Sequence, residues 1–209
     1  MSQINMSVHR GLSELKLYTN KINTSLNNAF VLANKQSNKM VGGRTVEEVT
    51  TAIKGQFDST VALIENRKRI KDAIVKSNAG TNVVVGGKTM TVAEAIERKV
   101  SISLERQFLQ SLQNQFVHQN NIVDQNNAQL PTKLESYLQA ALGEKRDAED
   151  VKAATKQFED SNKYALIDPC HIQNYIGKLT NDIDEFESQV DYILSESNAT
   201  TFFDVELVD

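Results

Sequence analysis

Thr81-Asn82-Val83-Val84-Val85-Gly86-Gly87-Lys88-Thr89-Met90, running straight into Thr91-Val92-Ala93-Glu94, is the stretch that decides the fold. Its first ten residues are two β-prone runs about a Gly-Gly pair. Glycine tolerates the positive φ angles of a two-residue turn, so the stretch predicts a short hairpin. Thr91 then stands before a helical run with Glu94 three residues on. A hydroxyl that accepts from a free amide and a carboxylate that reaches back make a capping box. Beyond it Val92, Ile96, Val100, Leu104, Phe108, Leu112 and Phe116 follow at four-residue steps, predicting a long helix that continues into Ile122. Such steps drift around a straight helix, so this one should touch more than one neighbour and offers a seam between copies.

The same grammar occurs upstream. Val41-Gly42-Gly43-Arg44-Thr45 leads into Val46-Glu47-Glu48-Val49: a Gly-Gly turn, a cation, a hydroxyl and a helix start. Two copies fall short of the three or more units of a solenoid. The second helix should begin at Thr45 and run to about Ser77 on Val46, Val49, Ile53, Phe57, Val61, Ile64, Ile70 and Ile74. Before it, Leu12, Leu15, Ile22, Leu26, Phe30 and Ala33 predict a first helix over 7–34, and 35–44 reads as a loop.

Downstream, 113–129 is rich in Asn and Gln and is closed by Pro131. A helix is expected over 132–142, ending at Gly143. The charged stretch 144–163 reads as solvated helix or loop, and Tyr164-Ala165-Leu166-Ile167 as a short strand. Asp168-Pro169 should cap a last helix carried by Ile172, Ile176, Leu179, Ile183, Phe186, Val190, Ile193 and Leu194. The alternation over 200–207 fits an edge strand or a docking tail.

Composition agrees with long helices. The 209 residues are 40% hydrophobic and 24% charged, with two prolines, nine glycines and no tryptophan, which leaves few helix breakers. One cysteine, Cys170, excludes an internal disulfide framework. No apolar run approaches the roughly 18 residues of a membrane span, and the first residues lack the layout of a signal peptide. A cytoplasmic setting is the expectation. A formal net charge of -4 argues against general nucleic-acid binding, which draws on phosphate neutralisation.

Chemistry has few carriers. Gly86-Gly87-Lys88-Thr89 invites comparison with a phosphate-binding loop, but that motif needs a glycine where this chain has Asn82. Arg44, Lys88 and Thr89 nevertheless lie just before helix N-termini, where free amides and the helix dipole favour an anion. Arg67-Lys68-Arg69 with Lys71 and Lys76 either solvates the edge of the second helix's stripe or walls an anion. His9, His118, His171 and Cys170 show no metal-ligand spacing. No nucleophile and base stand in a catalytic order, so neither an enzyme nor a cofactor is expected.

Ser77-Asn78-Ala79-Gly80-Thr81, with Gly87-Lys88-Thr89-Met90-Thr91-Val92-Ala93-Glu94-Ala95-Ile96-Glu97-Arg98, resembles the central signature of the septicolysin-like group of small bacterial and phage proteins. Ile193-Leu194 and Ala199-Thr200-Thr201 resemble its close. The resemblance covers about half the chain, leaving 120–163 without a counterpart. It implies long antiparallel helices with a small β element and a homo-oligomer, and it implies no activity.

The expectation is therefore a mainly α protein, with antiparallel helices in a bundle or coiled-coil-like arrangement and one or two short β-hairpins. It forms a single helical domain over 1–209 with a charged insertion at about 120–163. It should be a homo-oligomer, assembled through the third and last helices, that binds a small anionic or nucleotide-like ligand through Arg44, Asn78, Lys88, Thr89 and Arg98. In a phage such a protein would sequester a host defence signal; the alternative is a virion, assembly or protein-interaction role, docking through the acidic tail at 202–209.

Overall fold

Local chemistry builds the two longest helices as the capping boxes require. In the computed structural model, which describes residues 2–37, 39–143 and 147–208, the Thr45 hydroxyl accepts from the Glu48 amide at 3.2 Å. The Glu48 carboxylate accepts from the Thr45 amide at 2.8 Å. Helix α2 follows over Val46–Gly80. Thr91 and Glu94 repeat the exchange at 3.1 and 2.6 Å and start α3, Val92–Ala128. Each box is preceded by a Gly-Gly hairpin. Strands β2 (Met40–Val41) and β3 (Arg44–Thr45) flank Gly42 and Gly43, whose φ angles are 54° and 82°. Strands β4 (Asn82–Val85) and β5 (Lys88–Thr91) flank Gly86 and Gly87 at 55° and 70°. Two successive positive φ angles mark a turn whose twist matches the strands it joins. The internal echo is thus one structural device used twice, and 35–44 contains a hairpin where a loop was expected.

The chain is mainly α with short two-stranded antiparallel sheets, and it divides into two compact units, Met1–Val100 with Glu185–Asp209, and Ser101–Asp184. The borders fall within α3 and within α6, Ile172–Thr200.

The first unit holds a sheet of which the sequence announces only the second strand. Strand β1, Ser2–Ser7, pairs antiparallel with β6, Phe202–Leu207, with Met6 opposite Phe203 and Ile4 opposite Val205. The 200–207 alternation is therefore a strand, and its period of two sends Phe203, Val205 and Leu207 inward. They meet Met6, Val8 and Leu15, and from α2 Ile70 and Ile74. Helix α1, Val8–Ser25, starts at Ser7, whose hydroxyl accepts from the Arg10 amide. It ends nine residues before the expected boundary of 34. The Thr24 and Ser25 hydroxyls bond back to the Asn20 and Ile22 carbonyls, and Asn27 and Asn28 follow in a turn. These weak helix formers compete for backbone groups where the run of apolar residues alone predicts continuation. Phe30 lies beyond the helix with its ring edge-on to Phe57 at 6.2 Å.

At the other end of α2 the β4–β5 hairpin seats Val85 with Val92, Ala95, Phe186 and Val190 among the buried side chains. The Gly86 amide donates to Gln189 Oε1 at 3.0 Å, tying the turn to α6. The Lys99 ammonium pairs with Asp191.

In the second unit α4, Leu130–Leu142, and α5, Ala148–Asn162, pack with the Tyr137 and Phe158 rings 5.2 Å apart. Pro131 sits in the first turn of α4, where its missing N–H costs no hydrogen bond, so it opens a helix that was expected to start one residue after it. Of the charged stretch, 144–146 lies outside the described residues; the remainder is α5, which buries no described side chain. The strand expected at 164–167 does not form. The Asn127 side chain takes both backbone groups of Tyr164 at 2.9 Å, using the bonds a neighbouring strand would use. Asp168 does cap the last helix, accepting from the Ile172 amide. Pro169 lies in a turn outside the helix, and His171, with φ 52°, is the residue that redirects the chain.

Candidate functional site

The five residues expected to hold an anion are distributed along the first unit. Arg44 is exposed on β3, at the N-terminal end of α2, while Asn78 is half-buried in that helix's last turn. A helix of 35 residues is about 52 Å long at 1.5 Å per residue, so Arg44 does not share a ligand of small size with Asn78 in one copy. Lys88 and Thr89 are exposed on β5, past the far end of α2. Arg98 is half-buried in the second turn of α3, its guanidinium 4.5 Å from the centroid of the Phe186 ring. That contact fixes α3 against α6 within the unit.

Electrostatics at the two helix starts bears on anion binding. The Thr45 amide, then the Thr45 hydroxyl and to a lesser degree Arg44, hold the Glu48 carboxyl below its usual range. The Thr91 amide and hydroxyl do the same for Glu94. Each helix N-terminus therefore already carries an ionised carboxylate on the groups that a phosphate would need. An incoming anion would meet like charge there.

A different arrangement gathers positive charge. Helices α1 and α2 lie antiparallel, as the pairing of Thr19 with Arg67 and the approach of Gly11 to Ile74 show. Between them is a groove of about 380 Å³ lined by Thr19, Ile22, Asn23, Ile64, Arg67, Lys68, Lys71 and Asp72. Helical periodicity explains the lining. Residues 64, 67, 68 and 71 of α2 are spaced by three and four, as are 19, 22 and 23 of α1, so each set shares a face. Arg67 Nε donates to Thr19 Oγ1 at 2.9 Å, and that hydroxyl donates in turn to the Leu15 carbonyl at 2.7 Å. The relay holds the guanidinium at the groove wall. Among the described residues Lys68 and Lys71 have no ion-pair partner. Arg69, next in sequence, turns elsewhere, to Glu65 at 3.0 Å and to the Glu206 carbonyl at 3.3 Å. Lys76 apart, the basic cluster thus splits into a structural arginine, Arg69, and a wall of three cations. The sequence showed the basic cluster, with an anion wall as one of its two readings, but not Thr19 and Asn23, because nothing local to α2 names the helix that faces it.

Two further recesses in this unit differ in character. One of about 390 Å³ contains Tyr18, Lys21, Asp58, Ser59 and Asn66. Burial, and next the Glu14 carboxylate, raise the Tyr18 hydroxyl's pKa. The other, of about 340 Å³, is lined by Thr81, Asn82, Ser197, Thr200 and Glu196. Its hydroxyls at Thr81 and Thr200 bond back to their own helices, and Glu196 opposes an anion.

Apolar side chains remain uncovered. Phe57, Val61 and Ile64 on α2 are exposed, as are Leu26, Val31 and Leu32 after the end of α1. On α3, Val100 in the first unit is 76% exposed and Leu104 in the second is 66% exposed; both belong to the run read as a seam between copies. No helix among the described residues is long and apolar enough to cross a membrane. No protein-family model, curated protein or solved structure matches the chain.

Proposed function

We propose that the chain is a non-enzymatic, homo-oligomeric binding protein that carries a small anionic or nucleotide-like ligand. If it is one of the phage proteins of the septicolysin-like group that its signature resembles, the ligand would be a host defence signal. The uncovered apolar helix surface carries this reading. Phe57, Val61, Ile64, Val100 and Leu104 occupy positions whose spacing is that of a buried stripe, yet one copy leaves them in solvent. Phe57, Val61 and Ile64 are about half covered, and Leu104 and Val100 less, so completing the burial of each contributes on the order of 1 kcal/mol. The ten such side chains of two copies together offset an association cost of roughly 4–15 kcal/mol.

Light scattering on a size-exclusion column tests it. The expected mass is a multiple of 23.3 kDa at micromolar concentration. Val100→Glu with Leu104→Glu should lower the mass while leaving the helical circular dichroism intact. A stable single-copy mass for the unaltered protein would remove the basis of the reading. The same uncovered surface also supports the structural alternative, in which the copies assemble with a virion or other protein partner; co-purification with particles and no retained small molecule would favour it.

A further inference from the structure

The groove between α1 and α2 combines features that a small anion alone does not need. Three cations, Arg67, Lys68 and Lys71, stand on one wall, with the Thr19 hydroxyl and the Asn23 amide on the other. Ile22 and Ile64 contribute apolar surface, and Asp72 contributes one carboxylate within the same recess. At about 380 Å³ the space is far larger than a phosphate and falls within the roughly 300–1,000 Å³ of small-molecule sites.

Each feature selects part of a ligand. Arg67 is held by its Nε bond to Thr19, which leaves the two terminal nitrogens of its fork as donors suited to the paired oxygens of a phosphate. Lys68 and Lys71 are three residues apart on the helix, so they can address successive phosphates as mobile point charges. The isoleucine surfaces suit a flat or apolar body. Asp72 repels a bare anion but accepts from a hydroxyl or amino group on that body. A recess with both signs of charge therefore favours a ligand that has both an anionic end and hydrogen-bond donors.

We infer that this groove is a binding site for a nucleoside diphosphate or a ligand of the same chemistry, with Arg67, Lys68 and Lys71 on the pyrophosphate and Asp72 on the hydroxyl or amino donors of the body. This deepens the binding-protein reading by moving its ligand from the hairpin residues Lys88 and Thr89 to the α1–α2 groove. It does not require the site to span two copies.

Isothermal titration of the full chain with adenosine 5′-diphosphate, inorganic pyrophosphate and adenosine tests the inference at low and at physiological salt. The diphosphate should bind, more weakly as salt rises, because surface charge pairs are screened. Adenosine should not bind measurably. Lys68→Ala with Lys71→Ala should weaken the diphosphate by roughly tenfold or more, while Lys88→Ala leaves it unchanged. Asp72→Asn should strengthen pyrophosphate relative to the diphosphate. Arg67→Lys keeps the charge but loses the fork, and it should weaken binding by a smaller factor. All the substituted positions are exposed, so unchanged melting temperatures are expected to accompany the losses. The inference is overturned if the diphosphate fails to bind, if the lysine pair can be removed without effect, or if a single-stranded oligonucleotide binds at this groove more tightly than the diphosphate. A single-copy mass by light scattering with diphosphate binding intact would sink the oligomer reading alone. A multimer that ignores all three probes would sink the groove alone.

Discussion

Asn66 and Val208 exchange two hydrogen bonds, the Asn66 amide donating to the Val208 carbonyl at 2.8 Å and its oxygen accepting from the Val208 amide at 2.7 Å. One side chain of α2 thus behaves as a strand partner to residue 208, just beyond β6. Asn66 is only 6% exposed, and it is among the few polar side chains buried in the first unit. Arg69, one turn on, holds the Glu206 carbonyl. Together they read the backbone of alternate residues and leave the side chains of the strand to the core.

Replacing Asn66 with Leu should cost about 2–4 kcal/mol, because two backbone groups lose their partners in a partly buried place. Asn66→Asp should also destabilise, since it presents an oxygen to the Val208 carbonyl while keeping the acceptor for the Val208 amide. Urea denaturation checks both, and a change under 0.5 kcal/mol for the leucine variant would show that water replaces the clasp without loss.

Gly11 gives a second prediction, of opposite sign to helix propensity. Alanine inside a helix is ordinarily worth about 1 kcal/mol over glycine. Here a Cβ would lie 2.7 Å from Phe203 Cζ and 3.0 Å from Ile74 Cδ1, and both side chains are buried in the core. Gly11→Ala should therefore destabilise by about 1–3 kcal/mol. Phe203→Leu in the same chain should recover part of that loss in a double-mutant cycle. Additive effects would mean that the helix shifts to make room.

The two capping boxes predict an acid dependence. Glu48 and Glu94 are held below the ordinary glutamate value of 4.5, chiefly by the backbone amides of Thr45 and Thr91. A carboxyl whose pKa is lower folded than unfolded adds stability that is complete above the unfolded value and is lost as pH falls through the folded one. Melting temperature should accordingly drop as pH is lowered from about 5 toward 3. Glu94→Gln should flatten part of that drop, and Thr91→Ala should lower stability by about 1 kcal/mol at neutral pH. An unchanged acid slope in a chain lacking both glutamates would assign the dependence to other groups.

Arg98 is predicted to matter for stability whether or not a ligand is present. Its guanidinium lies over the buried Phe186 ring, and such contacts contribute about 0.5–2 kcal/mol according to their desolvation. Arg98→Ala should lower the melting temperature of the ligand-free protein, and Phe186→Leu should reduce the effect of that substitution. Equal stability of Arg98→Ala and the unaltered chain would free the residue for a binding role.

The parts of the fold that were legible are those in which cause and effect lie within a few residues. Gly86-Gly87 followed by Thr91 and Glu94 contains its turn, its cap and its helix, and Gly42-Gly43 followed by Thr45 and Glu48 repeats them. The β1–β6 pairing was illegible because its two halves lie 199 residues apart, as at the Asn5 to Asp204 hydrogen bond. Ser-Gln-Ile-Asn-Met-Ser alone is too short and polar to specify a strand without that partner. Periodicity likewise marked Phe57, Val61, Val100 and Leu104 as stripe residues, but it carries no information about whether the covering surface belongs to the same copy. In the groove, Arg67, Lys68 and Lys71 were visible as a cluster. That Thr19 would steady Arg67 depends on the antiparallel seating of α1, which only the folded chain supplies.

The antiparallel pairing of residues 2–7 with 202–207 has a consequence for biosynthesis. As the polypeptide emerges, the opening strand has no counterpart until nearly two hundred more residues have been translated. The intervening helices can coil on their own capping signals, but Met6, Val8, Leu15, Ile70 and Ile74 must wait in a half-covered state for Phe203 and Val205. For the length of that wait the nascent chain presents sticky side chains, and its solubility rests on whatever shelters them until the last strand arrives.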